Sequence, residues 1–364
     1  MRRFVKLSLA AAAIPAACLL YQQACVQRDR RRFLAPGSLI HIGQGRHIFL
    51  SQKGTRGPTV IFESGISATS LNWTDLQRVA SMFARAITYD RAGLGWSSPC
   101  TSERTPSNIV RELRLLLAHA EIPPPYILVG HSFGGIVVRR FAIDHPDEVI
   151  GLVLIDPMRP EDWKAREDQE VGEDREDPAG QNQPTHDELT QGLRLTKIGL
   201  PCAHFGLARL AITSLLCGSG KTARAISRIS GADGQRVFER LTTEVSKMPR
   251  ETHAIVAAHW SNPHFYRGMA AHLRAVPATV QEMSSVEPIQ NIPIILLTPA
   301  TTEPLSREAL DRISPTAEQI IAEKSTHWVH LDEPALVLHA IQSVIEQAYS
   351  PNRSLRNETI PTTQ

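Results

Sequence analysis

The chain has 364 residues, 42% of them hydrophobic and 21% charged. That suits one large domain with an insertion or two small domains, and it excludes wholesale disorder and a polytopic membrane protein. The formal net charge is +2, and Arg2, Arg3, Lys6, Arg28, Arg30, Arg31 and Arg32 all lie near the start, so no basic stripe elsewhere offers a nucleic-acid face. Five Cys are too few for a disulfide scaffold in a chain this long.

The first element reads as a targeting segment. Arg2, Arg3 and Lys6 precede residues 7–21, which carry no charge, are rich in Ala and Leu and include Pro15. This matches the core of a signal peptide or a short signal anchor. No convincing small-x-small cleavage site follows, which favours an uncleaved anchor over cleavage and release; a buried helix of the fold is the third reading. Basic residues flank both ends and leave the orientation open. In an oxidising compartment Cys202 and Cys217 could pair, leaving Cys100 over; all three equally suit small hydrophobic positions.

After Pro36-Gly37, residues 38–42 and 46–50 alternate like an antiparallel hairpin. Residues 59–62 form a short apolar strand ending in Glu63-Ser64-Gly65. Residues 71–84 have helical spacing, and 86–89 form a strand ending in Asp90. Residues 108–120 are a helix with Ile109, Leu113, Leu116 and Leu117 inward and Ser107 as its N-cap. A strand over 126–129 leads into a helix over 133–144. Val149–Ile155 is nearly all apolar, as in a central parallel strand covered on both faces.

The rhythm then breaks. Residues 161–177 are crowded with acidic side chains and read as a solvated loop. From about 187 to 281 helical patterns follow with no clear strand. Residues 292–297 and 317–322 restore strands, 334–349 close with a helix, and 350–364 form a polar tail. The expected organisation is a leader over 1–35, a core over 36–157, a helical cap insertion over 158–290 and a second core part over 291–349. This is an α/β fold: a doubly wound, mostly parallel sheet flanked by helices, with a cap over its carboxyl edge.

The chemistry sits at strand ends. Gly130-His131-Ser132-Phe133-Gly134 is a G-x-S-x-G placed between a strand and a helix, the context a nucleophile elbow requires. A Ser hydroxyl needs a base. His327, between the last strand and the last helix, is the candidate, with His330 as its rival. The carboxylate that orients the imidazole is Asp156, directly off a strand end, or Glu303, several residues out in a loop; Asp156 is preferred for its rigid placement. An oxyanion hole needs two backbone N–H donors. Phe133 supplies one and Ile66, after the first core strand, the other. Asp90 is read as half of a buried structural pair with Arg91. No metal or organic cofactor is called for, and His253 and His259 lack the i, i+4 spacing of a helical zinc site.

Taken together these segments resemble the α/β-hydrolase superfamily. The resemblance rests on Glu63-Ser64-Gly65-Ile66, Trp73, Tyr89-Asp90-Arg91-Ala92-Gly93, the elbow around Ser132, the strand ending at Asp156 and the stretch from His327 to Pro334. It is tightest over 58–157 and 319–348 and looks most like a bacterial subgroup of serine hydrolases with an N-terminal anchor or signal. It implies a Ser-His-acid hydrolase and supports Asp156 as the acid. The expected location is then the bacterial cell envelope, and the expected partners are a membrane, through the N-terminal segment, and a small or lipid-like ester. Ser64-Gly65 stands where the superfamily usually has His-Gly, and Thr326 where a Gly usually precedes the catalytic His. Dehalogenases and epoxide hydrolases of the superfamily need Asp at the elbow, so Ser132 points to acyl transfer. A peptidase or amidase, or a non-catalytic binding protein on the same scaffold, remains as an alternative.

Overall fold

The structure is a computed structural model, and it describes residues 2–160, 186–216 and 243–350. The acidic stretch 161–177, Cys217 and the tail 351–364 lie outside the described residues. The chain divides into two compact units. One comprises Leu50–Tyr89, Thr105–Gln183 and Pro277–Gln364 and is built on the sheet; the other comprises Met1–Phe49, Asp90–Arg104 and Pro184–Val276 and is mainly helical.

The sheet has eight strands: β1 (Ser38–His41), β2 (His47–Lys53), β3 (Thr59–Glu63), β4 (Arg85–Tyr89), β5 (Tyr126–His131), β6 (Val149–Ile155), β7 (Ile294–Pro299) and β8 (Ala317–Ala322). Their order is β1-β2-β4-β3-β5-β6-β7-β8. β2 runs antiparallel to β4, and β4, β3, β5, β6, β7 and β8 pair in parallel. β3, β5, β6 and β7 are hydrophobic on both faces because helices cover both. Alternate residues Val60 and Phe62, Ile127 and Val129, Val153 and Ile155, and Ile295 and Leu297 form one core layer. That layer packs with Trp73, with Leu76 of α2 (Thr74–Ala80) and with Val337, Ile341 and Val344 of the last helix, Pro334–Ala348. Fully burying one such side chain contributes about 1.5–3 kcal/mol. On the sheet's other side α4 (Phe133–Asp144) packs on β5 and β6, and α3 (Pro106–His119) packs on α4.

The chain places β4 on one side of β3 and β5 on the other, which makes a topological switch point at the carboxyl ends of β3 and β5. Ile66 follows β3 and Ser132 follows β5. The topology therefore brings a candidate nucleophile and a candidate amide donor to one crevice.

Two local expectations are corrected. The helix expected over 71–84 is a 3-10 turn, Ser70–Trp73, followed by α2, which ends at Ala80. Residues 81–84 turn instead, because Arg85 must return alongside Pro58 to start β4, where its N–H donates to the Pro58 carbonyl at 2.9 Å. The cap of α3 is Thr105 rather than Ser107. Pro106, with its fixed φ and no N–H to satisfy, takes the first helical position, and Ser107 Oγ donates to Glu282 Oε1 at 2.5 Å.

The helical unit begins with α1 (Arg2–Arg32), which extends well past the uncharged run. Its C-terminal half is fastened by polar contacts. Gln22 is buried and donates to the Ser261 carbonyl at 2.7 Å, Arg209 donates to Gln22 at 3.0 Å, and Arg209 pairs with Asp29 at 2.6 Å. Ile14, Leu20 and Tyr21 are exposed. No described helix is long and apolar enough to cross a membrane. Among the described residues of the stretch expected to be helical are α5 (His186–His204), α6 (Leu207–Leu216), α7 (Arg250–Trp260), α8 (Pro263–Arg274) and α9 (Val276–Met283), the last falling mostly in the sheet unit; residues 217–242 lie outside the described residues. Asp90 and Arg91 are both buried, and Asp90 Oδ2 accepts the Trp96 N–H at 3.0 Å. A Cβ on Gly268 would lie 1.9 Å from the Gly93 carbonyl oxygen, so this loop and α8 meet backbone to backbone. Cys100 and Cys202 are free thiols.

Candidate active site

Ser132 stands between β5 and α4 with φ 54° and ψ −121°, a conformation costly for a residue with a Cβ. A strained serine on a strand-to-helix turn is the backbone form of a nucleophile elbow. Ties on both sides hold it there. Its N–H donates to the Ile155 carbonyl at 3.0 Å, and its own carbonyl accepts from Gly135 at 2.9 Å and Met158 at 3.1 Å. These bonds join the elbow to the loop after β6. A Cβ on Gly134 would sit 2.4 Å from the Glu63 carbonyl oxygen, so Gly here lets α4 start against the end of β3.

Asp156 is the first residue of that loop. Its backbone also lies at positive φ, 37°, and its N–H donates to the Leu297 carbonyl at 2.8 Å. Its Oδ2 lies 2.7 Å from His327 Nδ1, and the two side chains are 3% and 8% exposed. A carboxylate accepts, so Nδ1 carries the proton and Nε2 is left with its lone pair for another partner. Glu303, the other sequence candidate, is exposed.

Ile66 is half-buried in the turn after β3. Ser64 shapes that turn: its Oγ donates to the Thr69 carbonyl at 3.1 Å and accepts from Trp73 Nε1 at 2.9 Å. Phe133 opens α4, where the first backbone N–H groups have no partner within the helix, and its side chain is buried. Glu63, also buried, accepts from the Tyr89 hydroxyl.

The loop carrying His327 is braced by residues that the sequence did not single out. Glu333 Oε1 accepts from Lys324 N–H at 2.8 Å and Ser325 Oγ at 2.6 Å. Asp332 Oδ2 accepts from Thr326 N–H at 3.0 Å and Oγ1 at 2.9 Å. The closeness of Asp332-Glu333 to His327 in the chain was the available signal. His330 is buried, with its ring 4.7 Å from Trp73 and 4.3 Å from His131. Among the described residues no group of three or more His, Cys, Asp or Glu could hold a metal ion. What the structure brings together is the His327 imidazole and the Asp156 carboxylate, with Ser132 on its strand-to-helix turn after β5.

The family model described as the alpha/beta hydrolase family matches residues 60–340. The uncharacterized protein YqjL of Bacillus subtilis is 38% identical over 106 residues, which are 29% of this chain and 42% of that protein. An AB hydrolase superfamily protein of Gibberella zeae is 34% identical over 126 residues, 32% of this chain and 39% of that protein. The matches thus span about two fifths of those relatives. Among solved structures, the epoxide hydrolase CorEH without ligand aligns with a TM-score of 0.58 at 16% identity, covering 84% of this chain and 96% of the other. A marine microorganism esterase aligns at 0.53 and 15% identity, covering 84% and 100%. At such identities the structural likeness speaks for the fold, the alpha/beta hydrolase fold.

Proposed function

The chain belongs to the alpha/beta hydrolase family, and on that premise we propose that it is a serine hydrolase cleaving carboxylic esters of a small or lipid-like substrate through an acyl-enzyme. The observation that carries this reading is the hydrogen bond from His327 Nδ1 to Asp156, and the positive φ of Ser132 on its strand-to-helix turn supports it. His327 Nε2 takes the proton of Ser132 as Oγ attacks the ester carbonyl. Asp156 keeps the imidazole in the required tautomer and stabilises the imidazolium. The Ile66 and Phe133 N–H groups face the developing oxyanion, and one such donor contributes about 2.7–4 kcal/mol to the transition state. His327 returns the proton to the leaving alcohol, and water repeats the cycle on the acyl-enzyme.

Serine also separates this chemistry from epoxide opening. A carboxylate nucleophile forms an ester that water cleaves, whereas a serine would form an inert ether. The experiment is labelling with a fluorophosphonate probe and hydrolysis of p-nitrophenyl esters, with Ser132→Ala beside the wild type. Loss of labelling and a fall of about 10⁶-fold in kcat support the reading; a wild type that is folded and unreactive overturns it.

The N-terminal segment is proposed to attach the protein to a membrane surface. The uncharged run 7–21, the exposed Ile14, Leu20 and Tyr21, and the neighbouring arginines support this. Recovery of the full chain in the soluble fraction of cells would overturn it.

A further inference from the structure

His131, the variable residue inside the elbow motif, does more than occupy its place. It is buried, and its Nε2 lies 2.8 Å from the backbone carbonyl oxygen of His327, 196 residues away in sequence. A carbonyl only accepts, so Nε2–H of His131 is the donor. The bond takes hold of the backbone of the very residue whose side chain meets Asp156. The braces from Asp332 and Glu333 act on residues 324–326.

The same ring reaches the other wall of the site. The His131 and His327 rings are 4.6 Å apart, His131 and His330 4.3 Å, and His330 and Trp73 4.7 Å. Trp73 in turn donates to Ser64 at the head of the turn that carries Ile66. A Cβ on Gly65 would come within 3.3 Å of His131 Nδ1, so that turn lies against the imidazole. One side chain, covalently next to Ser132, thus touches the loop of the base and the turn of the amide donor.

We propose that His131 is a positioning residue that registers the His327 loop and the Ile66 turn against the Ser132 elbow. In this role it acts through the His327 loop and not on the substrate. Its work is to fix where the His327 imidazole stands, and it rests on the serine-hydrolase reading above. A ring at this site fills space, but the Nε2–H donor is what specifies the position. Gln places a side-chain Nε2–H at similar reach; Leu fills the space with no donor.

The test compares His131→Leu and His131→Gln with the wild type. In the Leu variant, kcat on a p-nitrophenyl ester and the rate of fluorophosphonate labelling should fall about 10²-fold, the cost of misplacing a catalytic group by about 1 Å. KM should stay within about twofold, because ground-state binding is untouched. Gln should restore most of the rate. A second readout is the strongly deshielded proton shared by His327 and Asp156 in the NMR spectrum, identified by its loss in Asp156→Asn. It should shift or broaden in the Leu variant and return in the Gln variant. A folded Leu variant with wild-type kcat and an unchanged resonance overturns the positioning role, as does a Gln variant as impaired as Leu. If the wild type hydrolyses no ester and takes no label, the serine reading fails, and the resonance still decides whether His131 positions His327.

Discussion

In the sheet unit the buried His327 faces a carboxylate, Asp156, at 2.7 Å. In the helical unit His272 is buried and His259 and His264 are half-buried; no carboxylate is among the groups that shift them, and each is held below its usual pKa. Loss of hydration is the main cause in all three. His264 adds to it at His259, Arg267 and Arg30 at His264, and Arg91 and Arg104 at His272. His259 is pushed down to about 4. The same residue type thus serves two ends. In the proposed mechanism the imidazole paired with a carboxylate at a strand end is the one that takes the serine proton. Withdrawn from water beside cations or another histidine, its protonated form is disfavoured.

The largest effect that would sharpen this contrast is on the acid. Asp156→Asn should lower kcat about 10⁴-fold by leaving the wrong tautomer, while Glu303→Gln, at an exposed position, should leave kcat unchanged. The reverse result in ester hydrolysis would move the acid to the loop after β7. Next comes a stability effect confined to the helical unit. Gly268→Ala would drive a methyl group to 1.9 Å from the Gly93 carbonyl oxygen, and such overpacking costs about 3 kcal/mol. Thermal melting should show the loss; an unchanged melting temperature would mean that α8 and the 90–95 loop separate at little cost. The smallest effect is acid sensitivity. A histidine with a depressed folded pKa binds its proton in the unfolded chain first, so stability is full above about pH 6.5 and declines as pH falls toward 4. His259 alone should contribute a slope of at most about 1.4 kcal/mol per pH unit in that window, about 2 kcal/mol by pH 5. Denaturant titrations at pH 7.5, 6 and 5 read it, and His259→Phe should flatten the curve; equal slopes would break the comparison.

Much of the sheet was legible because burial on both faces leaves a direct mark. Val149–Ile155 has the same bounds in sequence and structure, and β3, β4 and β5 differ by one or two residues; the half-buried edge strand Ala317–Ala322 also matches. The errors came where a local signal competed with a tertiary demand. Ser107 looked like a cap, but Pro106 fits the first helical position and Glu282 claims the serine. The helical pattern over 71–84 ignored the need to turn back into β4.

The sequence by itself determined the alternation of strands and helices, the strand-turn-helix around Ser132 and the placing of His327 between the last strand and the last helix. These follow from periodicity and from residues whose preferences act within a few positions. It left Asp156 and Glu303 as alternatives, and only the tertiary structure sets one against His327 and the other in solvent. The grip of His131 on the His327 carbonyl, the tie from Trp73 to Ser64 and the union of α1 with Arg209 and Ser261 left no mark on local pattern. Each joins segments through a contact made once, at a distance that strand order and packing set, and a single contact has no period to read.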